Sequence, residues 1–318
     1  MDLIFTNAKR YDQGILSTHS LDLSYGASEN NFALTIGSEE TPMETDACIY
    51  SEGTEYGGII GGIKASTYGK TVTYTGRTWH GILNSKVIEP DTGEGYLIVS
   101  GDANVVLSFL IARLGLSGLF VAAETLSGVN ISNYKFHRYC KGYDGIRAML
   151  AANGAKLNIA WEDRAVRLSA KPIVDYTKDP VDGDVARLSV EQHKDKVNHL
   201  ICLGQGNLAD REVIHLYVDQ FGRIGDVQYY TGLAEIVDTY ENTNSEDLRS
   251  DGIKHFEELR NNDQAEISLS ETAGLAYDIG DIVGATEYKS GVSVAAAVTQ
   301  KIVKINNGVV STEYKTSG

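Results

Sequence analysis

Residues Leu275 to Tyr314, LAYDIGDIVGATEYKSGVSVAAAVTQKIVKINNGVVSTEY, constrain the fold more than any other stretch of the chain. Val292, Val294, Ala296, Val298 and Ile302 share one parity, and Ser293, Thr299 and Lys301 share the other. A period of two marks a β-strand with one buried face. Asn307-Gly308 supplies the positive-φ pair of a type I′ hairpin, and Lys289-Ser290-Gly291 supplies an earlier reversal. The run therefore predicts three strands joined by two tight turns, and nothing in it points to chemistry.

At 318 residues the chain can hold two or three domains with real cores. Its formal net charge of −15 lacks the basic footprint that displaces phosphate counterions, which argues against a sequence-independent nucleic-acid binder. The same acidity disfavours an anionic membrane surface. With 33 Gly, 18 Tyr and only 4 Pro, the composition suits β-structure with glycine turns and bulges. Cys48, Cys140 and Cys202 are far apart and odd in number, so they are expected to be reduced core residues of a chain made in a cytoplasm. The N-terminus, MDLIFTNAKRYDQG, does not read as a signal peptide. The most apolar window, Asn104 to Leu119, is broken by Arg113 and two glycines and is too short to span a bilayer. A soluble protein is expected.

Along residues 1–92 the pattern is all β. Leu21, Leu23 and Tyr25 alternate, as do Phe32, Leu34 and Ile36 after a turn at Gly26–Asn31. Gly57–Ile63 reads as a glycine-broken strand, and Thr71–Thr75 as another that continues through Thr78–Leu83. Near residue 100 the period changes. Asp102 is placed to cap a helix over Ala103–Leu114, with Val105, Val106, Phe109, Leu110 and Leu114 on one face and Gly115 past its end. A second helix is predicted over Tyr143–Ala152, stopped by Asn153-Gly154. A hairpin follows, with Leu157, Ile159 and Trp161 facing Val166, Leu168 and Ala170 across a turn at Glu162-Asp163. Strands return at Val197–Leu203, Glu212–Val218 and Asp226–Tyr230, and an amphipathic helix is predicted at about 244–261. The fold class is mainly β with an α/β insertion, in three parts: 1–92, 93–178 and 179–318.

Several stretches imitate functional motifs. Gly69-Lys70-Thr71 ends like a phosphate loop, but Lys64 stands where a glycine is required and a strand follows instead of a helix. Gly204-Gln205-Gly206-Asn207-Leu208-Ala209 matches the start of a dinucleotide fingerprint, yet Asp210–His215 after it reads as a strand, so a glycine-rich reversal is expected. Asp179, Asp182 and Asp184 lack calcium-loop spacing and read as a solvated acidic linker. Gly291-Val292-Ser293-Val294-Ala295 falls one glycine short of a nucleophile elbow and lies inside a strand. Of the seven histidines, His80 beside Trp79 is expected to be packed and hydrogen-bonded. His19, His137, His193, His199, His215 and His255 read as surface or strand-edge residues. No catalytic, cofactor-binding or metal-binding residue is expected, no cofactor is implied, and the chain is not expected to be an enzyme.

Four stretches in order along the chain resemble the phage-tail baseplate hub family of Gram-positive phages, defective prophages and phage-tail-like bacteriocins. The first is Gly53–Ile60 with Tyr74–Leu83, and the second is Tyr134–Tyr139 with Tyr143–Leu150 and Lys156-Leu157. The third is Val197–Gly206 with Arg211, and the fourth is Ile279–Gly284 with the strands after it. The resemblance implies two tail-tube-like β-barrel domains, 1–92 and 179–318, bracketing the small α/β domain 93–178. It also implies a homotrimer whose pseudo-sixfold ring joins the tail tube to a spike or tail tip around a central channel, as in contractile injection systems. Implied partners are the tail tube or distal tail protein, the spike or tail-tip protein, other baseplate proteins and the tape-measure protein. The implied location is the virion tail tip, assembled in the host bacterial cytoplasm, with no membrane insertion and no sequence-specific nucleic-acid binding. Some relatives carry C-terminal lytic or receptor-binding modules, and none is expected in a chain that ends at Gly318. The alternatives are a tail-associated cell-wall hydrolase and a carbohydrate- or receptor-binding module. The latter needs an exposed aromatic platform, whereas Trp79 and Trp161 lie on predicted strands, where burial is the commoner fate.

Overall fold

Two short strands, β1 (Ile4–Thr6) and β2 (Asp12–Ile15), precede the alternating runs, which form β3 (His19–Gly26) and β4 (Asn31–Gly37). β5 (Cys48–Tyr50), β6 (Gly57–Lys64) and β7 (Thr71–Thr78) follow. Leu21 lies opposite Leu34 and Leu23 opposite Phe32 in the antiparallel β3–β4 pair, while Leu34 faces Tyr74 across β4–β7. These side chains form one buried face, as the period of two requires. The predicted glycine break in β6 is a register shift between Ile60 and Gly62. This computed structural model describes residues 1–66, 68–178, 186–188, 196–219, 223–245, 247–261, 267–270, 276–287 and 292–317. The predicted reversal at 289–291, the acidic linker residues Asp179, Asp182 and Asp184, and His193 lie outside them.

The strand predicted to run on through Thr78–Leu83 is instead a helix, α1 (Trp79–Asn84), with the Thr78 hydroxyl accepting from the Gly81 N–H at 3.3 Å. Gly81 lets this helix pack closely. A Cβ there would lie 2.0 Å from the Asn30 carbonyl oxygen, so the helix rests backbone-to-backbone on a neighbouring turn. β8 (Val87–Ile88), β9 (Ile98–Asp102) and α2 (Ala103–Arg113) come next. Asp102 caps α2 as expected, accepting from Asn104 N–H, and Gly115 takes a φ of 69° just past the end. The buried face of α2 differs from the expected one, however. Val106, Leu107, Leu110 and Ile111 are buried, while Val105 and Phe109 are exposed.

β10 (Phe120–Ala122), β11 (Asn130–Lys135) and β12 (Cys140–Lys141) lead to α3 (Gly142–Ala151), whose Ile146, Met149 and Leu150 are buried. The hairpin β13 (Ala155–Glu162) and β14 (Ala165–Pro172) turns at Asp163-Arg164, both at positive φ, one residue later than predicted. β10 runs parallel to β14, giving a three-stranded sheet with β13 at its edge, and α2 and α3 share its core. β15 (Ala186–Leu188) closes this part of the chain.

Contacts divide the chain into two units, Met1–Leu188 with Ile267–Thr316, and Ser189–Glu266 with Ser317–Gly318. In the second unit β16 (His199–Leu203) pairs antiparallel with β17 (Val213–Val218), which in turn pairs with β18 (Ile224–Gly225). β19 (Val237–Glu241) joins parallel to β16. The strand expected at Asp226–Tyr230 is not seen. α4 (Leu248–Asn261) occupies the predicted helical stretch, and its Leu248 and Phe256 are buried with Leu200, Cys202, Leu216 and Val218.

The first unit is completed by β20 (Ile267–Ser270), β21 (Ile282–Glu287), β22 (Val292–Asn306) and β23 (Val309–Ser317). The predicted hairpin between β22 and β23 has Asn307 at φ 49° and Gly308 at φ 82°. β22 pairs antiparallel with β3, placing Val303 opposite Leu23 and Ile305 opposite Leu21. One large sheet results, in the order β15-β20-β23-β22-β3-β4-β7-β6-β5-β1-β2, with β21 on β22. Its end strands do not pair with each other among the described residues, and no closed barrel is seen. The single parity predicted for β22 holds at Ala296 and Val298 and not beyond. Ala296 and Val298 are buried in one cluster, whereas Lys301, Val303 and Ile305 are buried further on and Ile302 is only half-buried. The strand serves two cores in turn, so its buried set changes parity.

Candidate functional site

The turn between β5 and β6 is drawn against the edge of β13. Gly53 N–H donates to the Trp161 carbonyl at 2.9 Å, and Trp161 N–H donates to that of Thr54 at 2.8 Å. Within the turn, the Thr54 hydroxyl donates to the Ser51 carbonyl and accepts from Tyr56 N–H. This rigid turn aims Glu55 inward. Its carboxylate accepts from the Lys301 ammonium at 2.7 Å and lies 3.3 Å from His80 Nε2. Lys301 is 5% exposed and His80 3% exposed. The His80 ring stacks on Tyr25 at 4.5 Å and meets the Tyr143 ring edge-on at 5.2 Å. The Lys301 ammonium also lies 5.6 Å from the Tyr56 ring centroid.

Burial pushes the Glu55 carboxyl up, but the Lys301 ammonium and the His80 ring outweigh it and hold the group at about 2. Burial pulls the Lys301 ammonium down, and Glu55 more than restores it, leaving it above the usual lysine range. A carboxylate so acidic and doubly engaged is a poor general base. His80 Nδ1 has no hydrogen-bond partner among the described residues. The cluster has the geometry of a clamp between distant parts of the chain.

The same unit holds a second buried cation. Lys156 on β13 donates to both Asp281 oxygens at 2.7 Å and to Asp278 at 2.8 Å. Asp281 also accepts the N–H groups of Val174 and Asp278. Burial pulls the Lys156 ammonium down, and the two aspartates more than compensate. Glu55, Tyr56, His80, Tyr143, Asp278 and Ile279 line a cleft of about 270 Å³ with the β13 stretch Leu157–Ala160. Residues from three of the four stretches singled out in the sequence therefore meet here.

The remaining candidates fall elsewhere. Gly69-Lys70-Thr71 leads into β7 and offers no helix end. Gly204–Ala209 is a reversal between β16 and β17, closed by a short 3₁₀ turn at Leu208–Asp210, as read. Ser293 lies within β22. His137 and His215 are exposed, but His19 and His199 are buried, contrary to expectation. His199 is held from both sides, by Glu235 at 2.7 Å and by His215 at 2.8 Å, and it stacks on Tyr217. No alternation marks this group, because its members come from three separated segments. All three cysteines are free, and burial pushes the Cys48 thiol up to about 11. Trp79 and Trp161 are buried and stacked on each other at 5.2 Å, so neither forms an exposed platform. Among the described residues no group of three or more His, Cys, Asp or Glu is arranged to hold a metal, and no helix is long and apolar enough to cross a membrane.

No protein-family model and no curated protein matches the chain. Solved structures do. A tail protein from Neisseria meningitidis MC58 is similar over 100% of this chain and 96% of its own, with 14% identity and a TM-score of 0.56. The 43 kDa tail protein of prophage MuSo2 from Shewanella oneidensis is similar over 99% of this chain and 98% of its own, with 10% identity and a TM-score of 0.58. The prophage tail protein gp18 from Listeria monocytogenes EGD-e is similar over 100% and 94%, with 11% identity and a TM-score of 0.56. The resemblance read from four stretches of sequence thus returns as a shared fold: the chain folds as phage tail proteins do.

Proposed function

We propose that the chain is a structural baseplate hub of a phage tail or phage-tail-like particle, three copies of which form a ring joining the tail tube to the spike or tail tip. The observation that carries this reading is the end-to-end likeness to phage tail proteins, which spans nearly the full length of both chains in each comparison. In this reading each chain presents two tube-like β domains around the 93–178 part, so that three chains offer six related surfaces to the tube above. A closed ring adapts one symmetry to another only when its repeated surfaces are related by rotation. The acidic net charge suits a channel for DNA, because like charge repels phosphate and no counterions are released. In this reading the buried clamps at Glu55 and Lys156 hold distant strands together, and the burial of both Trp residues lends nothing to a glycan-binding alternative.

Light scattering on the purified chain, alone and with tube and spike proteins, tests the reading, followed by particle images. A threefold ring with a central channel is the expected result. A strict monomer under all these conditions overturns it, and zymography on cell walls and glycan binding then test the hydrolase and receptor-binding alternatives.

A further inference from the structure

The edge of β13 is incomplete. Trp161 turns its N–H and C=O away from β14, toward the turn at Gly53-Thr54. Backbone groups alternate sides along a strand, so Ile159 and Leu157 turn theirs the same way, along the cleft that Leu157–Ala160 line. Beyond Trp161, no backbone partner meets that edge among the described residues. Ile159 is only 5% exposed, and buried backbone groups are almost always paired. The cleft therefore calls for an extended backbone.

The same unit carries a strand in the opposite predicament. β2 ends the large sheet and pairs only with β1 among the described residues. Asp12, Gln13 and Ile15 are all exposed, so β2 is uncovered on both faces, and Ile15 is 59% exposed with Tyr11 beside the strand at 58%. An open edge strand with exposed apolar side chains is a template for pairing with another chain. β2 is four residues long, as is the open stretch Leu157–Ala160.

We propose that the open edge of β13 takes the β2 strand of a second copy, so that copies join head to tail by strand addition. The inference rests on the hub reading, since a contact between two different surfaces closes into a ring when its rotation allows.

The test is hydrogen exchange on the full-length chain across a concentration series, with mass followed by light scattering. Leu157 and Ile159 amides should exchange freely in the monomer and become protected as the assembly forms. Ile15→Lys, at an exposed position, should weaken self-association roughly tenfold or more, the scale of one lost apolar contact. Val309→Lys, at a site 72% exposed, should leave association unchanged. A trimer in which Leu157 and Ile159 stay unprotected overturns the strand addition and leaves the hub reading standing. Protection in a ring of another order upholds the strand addition and overturns the trimer. A chain that remains monomeric at every concentration overturns the assignment to a second copy.

Discussion

Glu55 carries its charge between two groups that hardly touch solvent, and Lys301 depends on it. Glu55→Gln removes the carboxylate bonded to the Lys301 ammonium and takes a counter-charge from a buried cation. Such a break costs about 3–5 kcal/mol, read as a fall in the urea midpoint. The pH dependence follows from the depressed carboxyl. Its contribution is complete above the ordinary value of 4.5 and is lost as pH falls through about 2. Lys301, raised above 10.5, keeps its own contribution until strongly alkaline pH. The stability gap between wild type and Glu55→Gln should therefore be constant near neutrality and shrink between pH 4.5 and 2. A gap unchanged at pH 2 contradicts the ion pair. Sequence made this cluster only partly visible. The packing of His80 was legible from its neighbour Trp79, but Lys301 falls on the parity assigned to solvent, and nothing local marks it as buried.

At the scale of elements, the Lys156–Asp281 joint ties β13 to the segment before β21. Gly280 makes the approach possible. Its φ is 102°, and a Cβ there would stand 3.1 Å from that of Lys156. Lys156→Met should cost about 3–5 kcal/mol, because Asp281, 1% exposed, loses the buried cation bonded to both of its oxygens. Amides of Val174 and Asp278, which donate to Asp281, should then exchange faster, and unchanged protection there contradicts the joint. Elements whose local signals agree were legible. Asp102 and Gly115 bracket α2, and Asn307-Gly308 turns β22 into β23. Elements with ambiguous signals were not. Thr78–Leu83 has the β-branched and aromatic residues of a strand, yet it folds as a helix capped by Thr78, with Gly81 close against Asn30. α2 is apolar nearly all round, so its own pattern does not choose between Val105 and Leu107 as the buried side.

For the whole molecule, the decisive pairing is β22 on β3, between residues almost the whole chain apart. A chain truncated before Ile267 loses Val303 and Ile305 from the core of Leu21, Leu23 and Tyr25 and opens the edge of β3. It should be insoluble or molten, seen as lost near-ultraviolet circular dichroism, and a soluble cooperative fold from the truncated chain contradicts the pairing. Sequence by itself determined the mainly β class, the turns and helix caps, and the faces of β3 and β4. Each follows from a period or a backbone preference carried by adjacent residues. Only the tertiary structure decided that the C-terminal strands complete the N-terminal sheet, that Glu55, His80 and Lys301 meet, and that the β5–β6 turn bonds to β13 at Trp161. A strand's alternation states which side chains seek a core and is silent about which distant edge will supply it. Pairing between remote strands is settled by the packing of whole faces, which no local window contains.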